Sequence, residues 1–240
     1  MNQALAFFLY SPLQSWGDIA VGEIRNSFRY PSKSALIGLL AGAMGLDRCV
    51  DESRILALNN GLNFAIRIDG EETMISDYHT VQVPPNKRGA GYRTRAAELQ
   101  AEDLETILSS REYLCDAVFS VYCFGDAETL IQLQEKLIFP ERPLYLGRKS
   151  CPLAMPTLAQ IVKGPTLLSI QQQFAVPSEV REKAWVPFRN IGSDTGIVWE
   201  AGINAGITAT RTIQRSDDII SRHRWQFGMR SESIGYVKMP

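Results

Sequence analysis

The sequence predicts an α+β fold, and three observations support this prediction. Apolar runs of strand length alternate with segments of helical periodicity over the first two thirds of the chain. After residue 164, closely spaced prolines and glycines leave room only for short strands. The composition, 45% hydrophobic and 21% charged over 240 residues, is that of an ordinary globular protein. Disordered, collagen-like and coiled-coil classes are therefore excluded.

The first predicted strand and helix lie within the first 46 residues. Residues 4–10 form an apolar run that ends at a Ser-Pro pair, which predicts a buried strand. After a long loop, Ser32 is placed to cap a helix that continues to Leu46. Glycines among the leucines of this helix would let it lie very close to a sheet, at a cost of about 1 kcal/mol each. We therefore expect an almost wholly buried helix.

Four further elements complete the predicted core. Residues 62–68 and 113–124 have the composition of strands, and residues 126–138 have the leucine spacing of an amphipathic helix. A last strand is expected near residues 155–162. This order is that of a ferredoxin-like, or RRM-like, βαββαβ unit with a long insertion between its two middle strands.

The chain is divided at residue 163 in this interpretation. Residues 1–163 hold the core, and residues 164–240 are expected to form a smaller C-terminal β-rich half. Within the insertion, residues 81–97 carry four cations and no acidic residue, which predicts a flexible basic loop. A second basic region, residues 211–230, holds five arginines against two aspartates.

Cysteine and charge content narrow the functional classes. The four cysteines form no C-x-x-C pair and no histidine stands at zinc-finger spacing, so we expect a reduced, cytoplasmic protein without a metal site. The amino-terminal apolar run is too short for a membrane span of about 20 residues, and no membrane partner is expected. Cys115 and Cys123 are expected on one face of a single strand, as core residues. A net charge of −1 does not exclude nucleic-acid binding, which needs only a local positive excess.

Most sequence motifs of known enzyme classes are absent from this sequence. Phosphate-binding and nucleophile-elbow motifs are absent, and only His79 and His223 offer a base at neutral pH. His79 precedes the basic loop and could accept a 2′-hydroxyl proton in RNA cleavage. A histidine that hydrogen-bonds a loop or RNA is the more common case, so we expect no catalytic residue and no cofactor.

Basic residues stand beside aromatic residues in three predicted loops. Single-stranded RNA favours this mixture, because phosphates take charge-assisted hydrogen bonds from arginine and lysine while unstacked bases lie on aromatic rings. One such loop alone would indicate a solvated surface, whereas three loops around one sheet predict RNA binding. The residues are Trp16, Arg25, Phe28, Arg29, Tyr30 and Lys33 in the first loop, Tyr92, Arg93 and Arg95 in the insertion, and Tyr145, Arg148 and Lys149 in a glycine loop.

Five sequence blocks together resemble a known family. They are residues 13–17 (LQSWG), 29–34 (RYPSKS) with the glycine-rich helix, 77–80 (DYHT), 111–116 (REYLCD) and 145–152 (YLGRKSCP). In this order they are similar to the Cas-five family, and specifically to its members in type I-E CRISPR Cascade complexes. The resemblance covers roughly residues 4–155. The C-terminal third resembles the family only loosely, through Arg215, Arg224, Phe227 and Arg230.

The resemblance implies a RAMP fold whose insertion, at about residues 71–113, forms a β-hairpin thumb. It implies a non-catalytic subunit that holds the 5′ handle of the CRISPR guide RNA (crRNA) and caps the backbone of the complex. Its implied partners are the Cascade backbone and large subunits, with target DNA met only indirectly. Since the type I-C member is itself the processing nuclease, a metal-independent endoribonuclease is the alternative. The loops and the resemblance together predict RNA contacts at Gln14, Trp16, Arg25, Arg29, Lys33, His79, Arg111, Tyr145, Arg148 and Lys149.

Overall fold

The computed structural model describes residues 2–20, 22–70, 73–85, 91–178, 181 and 188–240. Helices alternate along these ranges with strands that pair mostly antiparallel, so the α+β prediction is confirmed. The strands are β1 Asn2–Tyr10, β2 Leu13–Gln14, β3 Trp16–Gly17, β4 Ile24–Arg25, β5 Ser27–Phe28, β6 Asn63–Ile68, β7 Thr73–Val83, β8 Glu105–Cys115, β9 Val118–Phe124, β10 Gln160–Gly164, β11 Asp194–Glu200, β12 Arg211–Ser221 and β13 Gln226–Lys238. The helices are α1 Lys33–Ala43, α2 Glu52–Gly61, α3 Arg95–Glu98, α4 Ala127–Ile138 and α5 Leu167–Gln173.

The main sheet has seven strands in the order β10-β1-β9-β6-β11-β13-β12, and all its neighbouring pairs are antiparallel. Strict alternation along β1 sends side chains to both faces of this sheet. Leu5 and Phe7 belong to the core cluster that includes leucines of α1 and α4. Phe8 points to the opposite face, where its ring stacks on Phe174 at 4.4 Å next to α5. The sheet is therefore covered on both faces.

Four predicted elements are present where the sequence placed them. Strands β1 and β6 match the two apolar runs, and the Ser32 side chain caps α1 by accepting from the backbone N–H of Ala35. Helix α4 begins after an Asp126 cap and buries the three leucines of its apolar face. Helix α2 was not predicted from the sequence.

The single strand expected over residues 113–124 is wrong. Asp116 has a φ of 57°, in the left-handed region that aspartate tolerates better than most residues. The chain turns there, so Cys115 ends β8 and Cys123 lies on β9. Cys123 is buried in the core and Cys115 is half-buried, on different strands. The continuous apolar composition conceals this turn.

The C-terminal strands are longer than expected. Strands β12 and β13 have 11 and 13 residues, and they extend the main sheet through β11, which pairs with β6. The prolines and most glycines that indicated short strands lie before residue 207, ahead of this hairpin. The strand expected near 155–162 begins only at Gln160, because Leu158 takes a left-handed φ of 49° just before it. The proposed division at residue 163 stays a prediction.

A long hairpin occupies the predicted insertion. Strands β7 and β8 pair antiparallel over eleven positions, from Thr73 opposite Cys115 to Val83 opposite Glu105. Strand β8 also pairs with the short strands β2 and β4 of the first loop. Lys87 and Arg88 of the expected basic loop lie outside the described residues. The hairpin base is thus joined to the first loop by backbone hydrogen bonds.

Candidate nucleic-acid interface

The first loop and the glycine loop are held together by backbone contacts. The N–H of Ser15 donates to the carbonyl of Leu146 at 3.1 Å. Gly147 has a φ of +88°, and a Cβ at this position would lie 1.7 Å from the carbonyl oxygen of Ser15. Only glycine fits both the conformation and this close approach. Two of the sequence blocks therefore meet in space because of one glycine.

Glu112 connects these loops to the hairpin. Its carbonyl oxygen accepts from the Ser15 hydroxyl at 3.1 Å and from Arg148 Nη1 at 3.0 Å. Its carboxylate accepts from the N–H of Ser27 at 2.9 Å. Glu112 was not a predicted site residue, although it lies in the quoted REYLCD block. The block holds one basic and two acidic residues, so its charge pattern gave no signal for this role.

Gln14 and Trp16 lie inside the protein, which corrects their predicted role as RNA contacts. Gln14 is 0% exposed to solvent and Trp16 is 1% exposed. Trp16 Nε1 donates to Gln14 Oε1 at 3.2 Å, and the Gln14 amide in turn donates to the carbonyls of Ser11 and Ala117. The Trp16 ring packs edge-on against Phe119. Both side chains brace the first loop from beneath.

Lys33 is also buried, and the expectation that it contacts RNA is corrected. The residue is 7% exposed, and its Nζ lies 2.9 Å from Glu200 Oε2. Its backbone N–H donates to Asp217 at 2.8 Å. Burial raises the pKa of Glu200, while the Lys33 charge opposes that rise. Lys33 therefore ties the start of α1 to the C-terminal strands.

Arg148 lies at the junction of the glycine loop, the hairpin and the first loop. Its guanidinium sits 4.4 Å from the centre of the Tyr113 ring. Nη1 donates to the carbonyl of Glu112, and Nη2 donates to the carbonyl of Arg25 at 3.3 Å. Within the described part of the chain, two of its five N–H donors are used in this way, and three are available to a phosphate. Lys149 and Tyr145 beside it are exposed.

Three more predicted residues share one face of the hairpin sheet. Asp77 stands opposite Arg111, which neighbours Arg25 on β4. His79 is on the same face, since it is two residues from Asp77, and its Nδ1 lies 3.4 Å from Asp77 Oδ2. Arg111 Nε donates to Ser109 Oγ at 3.2 Å. The structure thus brings Arg25, Arg111 and His79 together.

The remaining predicted cations are spread over other surfaces. Arg29 is exposed in the first loop. In the insertion, Tyr92 and Arg93 are exposed and Arg95 pairs with Glu98 at 2.6 Å. These residues lie outside the lining of the cleft that contains Arg25 and Arg148.

That cleft has a volume of about 1340 Å³. Gly38 and Gly42 of α1 line it, facing Arg222 and Leu144. Helix α1 packs its leucines in the core cluster with β1, while these two glycines form part of the cleft wall. Its described lining contains six basic residues and three acidic ones, a local excess of positive charge. The basic residues are Arg25, Arg48, Arg142, Arg148, Lys149 and Arg222.

In the second basic region, residues 211–230, two of the five arginines pair with carboxylates. Arg230 Nε lies 2.6 Å from Asp217 Oδ1, and its Nη2 lies 2.8 Å from Glu232. Arg215 lies 3.5 Å from Glu232, and its guanidinium covers the Phe28 ring at 4.0 Å. These arginines are interior braces for the first loop. The count of charged residues over 211–230 did not indicate these ion pairs, because Glu232 lies just beyond the region.

Neither a membrane-spanning helix nor a metal-binding cluster of side chains is found in the described part of the chain. In those residues, no helix combines the length and the apolar character needed to cross a membrane. The same residues contain no cluster of three or more histidine, cysteine or acidic side chains arranged to hold a metal ion.

Comparison with known proteins tests the resemblance. The family model described as CRISPR-associated protein (Cas_Cas5) matches residues 4–231. The CRISPR system Cascade subunit CasD of Escherichia coli (strain K12) is 35% identical over 167 residues, which cover 65% of this chain and 70% of the relative.

Solved structures give the fold. A chain of a "CRISPR RNA-guided surveillance complex" has a TM-score of 0.66 at 24% identity, covering 99% of this chain and 91% of that one. A solved "Cas protein" has a TM-score of 0.57 at 23% identity, covering 99% and 95%. The family predicted from the five blocks is confirmed. The chain therefore belongs to the Cas_Cas5 family of CRISPR-associated proteins.

Proposed function

We propose that this chain is a non-catalytic Cascade subunit that holds the 5′ handle of crRNA in the cleft and caps the backbone of the complex. The observation that carries the proposal is the convergence of Arg25, Arg148 and Lys149 on this cleft. Exposed Tyr145 supplies a ring for an unpaired base. The likeness to CasD, which is named as a Cascade subunit, supports the assignment of the complex.

We infer that the ferredoxin-like core consists of β1, β6, β9 and β10. Their order in the sheet, β10-β1-β9-β6, is the 4-1-3-2 order of a βαββαβ unit. The β7–β8 hairpin is the thumb in this reading. Exposed Ile75, Tyr78 and Ile107 on the hairpin offer apolar surface for the backbone subunit. The large subunit and, through the guide, target DNA are the other partners we propose.

A structural role suits the hairpin face better than catalysis. Cleavage of RNA needs a base for the 2′-hydroxyl and an acid for the 5′-oxygen leaving group. Among the described residues this face offers one histidine, beside Asp77 and Arg111. We propose that His79 positions RNA.

The proposal is tested by RNA binding and cleavage together. The full chain is mixed with a labelled repeat RNA carrying the handle, and with a control RNA of equal length and shuffled handle. We expect tighter binding of the handle RNA and intact RNA after hours at neutral pH, with or without EDTA. Equal binding of the two RNAs would contradict handle recognition. Cutting at one position that His79→Ala abolishes would establish the ribonuclease instead.

A further inference from the structure

A second cationic and aromatic cluster lies in the same cleft, outside the predicted residues. Arg48 follows α1, and Arg222 and Trp225 lie in the turn between β12 and β13. The guanidinium carbons of both arginines lie 5.3 Å from the centre of the Trp225 ring. Trp225 is 58% exposed. The cluster therefore combines an exposed indole with an exposed arginine, Arg48, and a half-buried one, Arg222.

Neither arginine of this cluster is neutralised within the described residues. No carboxylate there forms an ion pair with Arg48 or Arg222, in contrast to Arg215 and Arg230. Burial, followed by the charge of Arg48, lowers the pKa of Arg222. Two like charges beside one ring raise the energy of the unliganded site, and a bound anion would relieve that repulsion.

The turn that carries Trp225 is fixed in place. Trp225 has a φ of 52°, a conformation that is unfavourable for a residue with a side chain. The Glu52 carboxylate of α2 holds the turn by accepting from the Ser221 hydroxyl at 2.7 Å and from the N–H of His223 at 3.0 Å. Arg222 Nη2 lies only 3.0 Å from where a Cβ on Gly38 would be, so a glycine lets its guanidinium approach α1. The cluster is thus organised before any ligand binds.

We propose that this cluster binds one unpaired nucleotide of single-stranded RNA, with the base against the Trp225 indole and its phosphate held by Arg48 and Arg222. An aromatic ring flanked by free cations fits a nucleotide because a base has a π-face and its phosphate accepts charge-assisted hydrogen bonds. The site rests on the proposed function, since it extends the same cleft beyond Arg148 and Lys149.

Three variants of the full chain separate the contributions to binding of a fluorescein-labelled single-stranded RNA. We expect Trp225→Ala to weaken binding about 5- to 140-fold with an unchanged salt slope, because a stacking contact is lost and no charge. Trp225→Phe keeps a ring and should restore most of the affinity. The Arg48→Ala, Arg222→Ala double variant should reduce the salt slope by about 1.4, for two single-strand phosphate contacts.

Photocrosslinking locates the base directly. RNA containing 5-iodouridine should crosslink to the peptide that contains Trp225, and Trp225→Leu should remove that crosslink while others persist. If wild type binds RNA and Lys149→Ala lowers its salt slope while the Trp225 and Arg48/Arg222 variants change nothing, the nucleotide site is refuted and the proposed function stands. If wild type does not bind RNA at all, both are refuted.

Discussion

The cations of this protein fall into two regions that behave in opposite ways. Behind the first loop, Lys33, Arg215 and Arg230 are largely buried, and each lies within ion-pair distance of a carboxylate. Along the cleft, Lys149 is exposed, and the contacts of Arg148 within the described residues are to backbone carbonyls and a ring. A buried cation that is paired with a carboxylate is not available to a phosphate, and removing its partner is costly, whereas an unpaired cation at the surface is free to bind a phosphate.

This contrast teaches that a local charge count does not identify a binding surface. The region 211–230 has a positive excess in sequence, yet its buried arginines contact Asp217 and Glu232. The position of the carboxylates in space, which the sequence does not show, decides which cations stay available to a phosphate.

The largest expected effect is on the buried pair. Glu200→Gln removes the closer carboxylate and leaves the buried Lys33 ammonium only the half-exposed Asp218, whose Oδ1 lies 4.0 Å away. Because that partner is more distant and solvated, the loss should cost about 3 to 5 kcal/mol of unfolding free energy in urea. Adding Lys33→Met to this variant removes the buried charge and should recover about 2 kcal/mol or more of unfolding free energy. Gln at position 200 keeps an oxygen that can accept from the backbone N–H of Phe64, so that hydrogen bond is not lost. A Glu200→Gln protein as stable as wild type would show that the pair is dispensable.

The next effect concerns the join between the two loops. Gly147→Ala would force a Cβ against the Ser15 carbonyl at a φ of +88°, and we expect a loss of roughly 2 to 4 kcal/mol. Gly192→Ala is the matched control, because it has a φ of +78° but nothing within 4 Å of the added Cβ. The control should cost about 1 kcal/mol. Equal losses for the two variants would mean that the contact with Ser15 does not matter.

Lys149→Ala should leave stability almost unchanged. The side chain is exposed and has no hydrogen bond or ion pair within the described residues, so the unfolding free energy should stay within about 0.5 kcal/mol of wild type. The measurement is urea unfolding of Lys149→Ala, carried out in parallel with wild type and Glu200→Gln. A loss as large as that of Glu200→Gln would place Lys149 among the structural cations.

The smallest effect is a pH dependence at the β12–β13 turn. The backbone N–H of His223, and then the Ser221 hydroxyl, hold the pKa of Glu52 below its usual range. A carboxylate with a lowered pKa in the folded state contributes stability above its unfolded pKa and loses it as pH falls through the folded value. The difference in Tm between wild type and Glu52→Gln should therefore shrink below about pH 4.5. A difference that stays constant between pH 6 and pH 3 would contradict this linkage.

The sequence revealed the elements with strong periodicity and the loops with specific motifs. The strand β1, the capped helix α1 and the helix α4 follow from local patterns, and the blocks LQSWG and YLGRK do meet. The burial of individual side chains could not be predicted: Trp16 in LQSWG and Lys33 in RYPSKS belong to sequences typical of a binding loop, yet both face inward. Arg48, Arg222 and Trp225 were missed because 174 positions separate Arg48 from Arg222 and only the folded sheet brings them together.

The salt dependence of RNA binding tests the central distinction between the two regions most directly. The binding constant for the handle RNA is measured between low and physiological salt for wild type, for Lys149→Ala, and for the Lys33→Met, Glu200→Gln pair. Both variants lose a lysine, but only the exposed one is placed to release counterions from a phosphate. We predict that the slope falls by about 0.7 for Lys149→Ala and does not change for the buried pair. An unchanged slope for Lys149→Ala, or an equal reduction in both variants, would contradict the account.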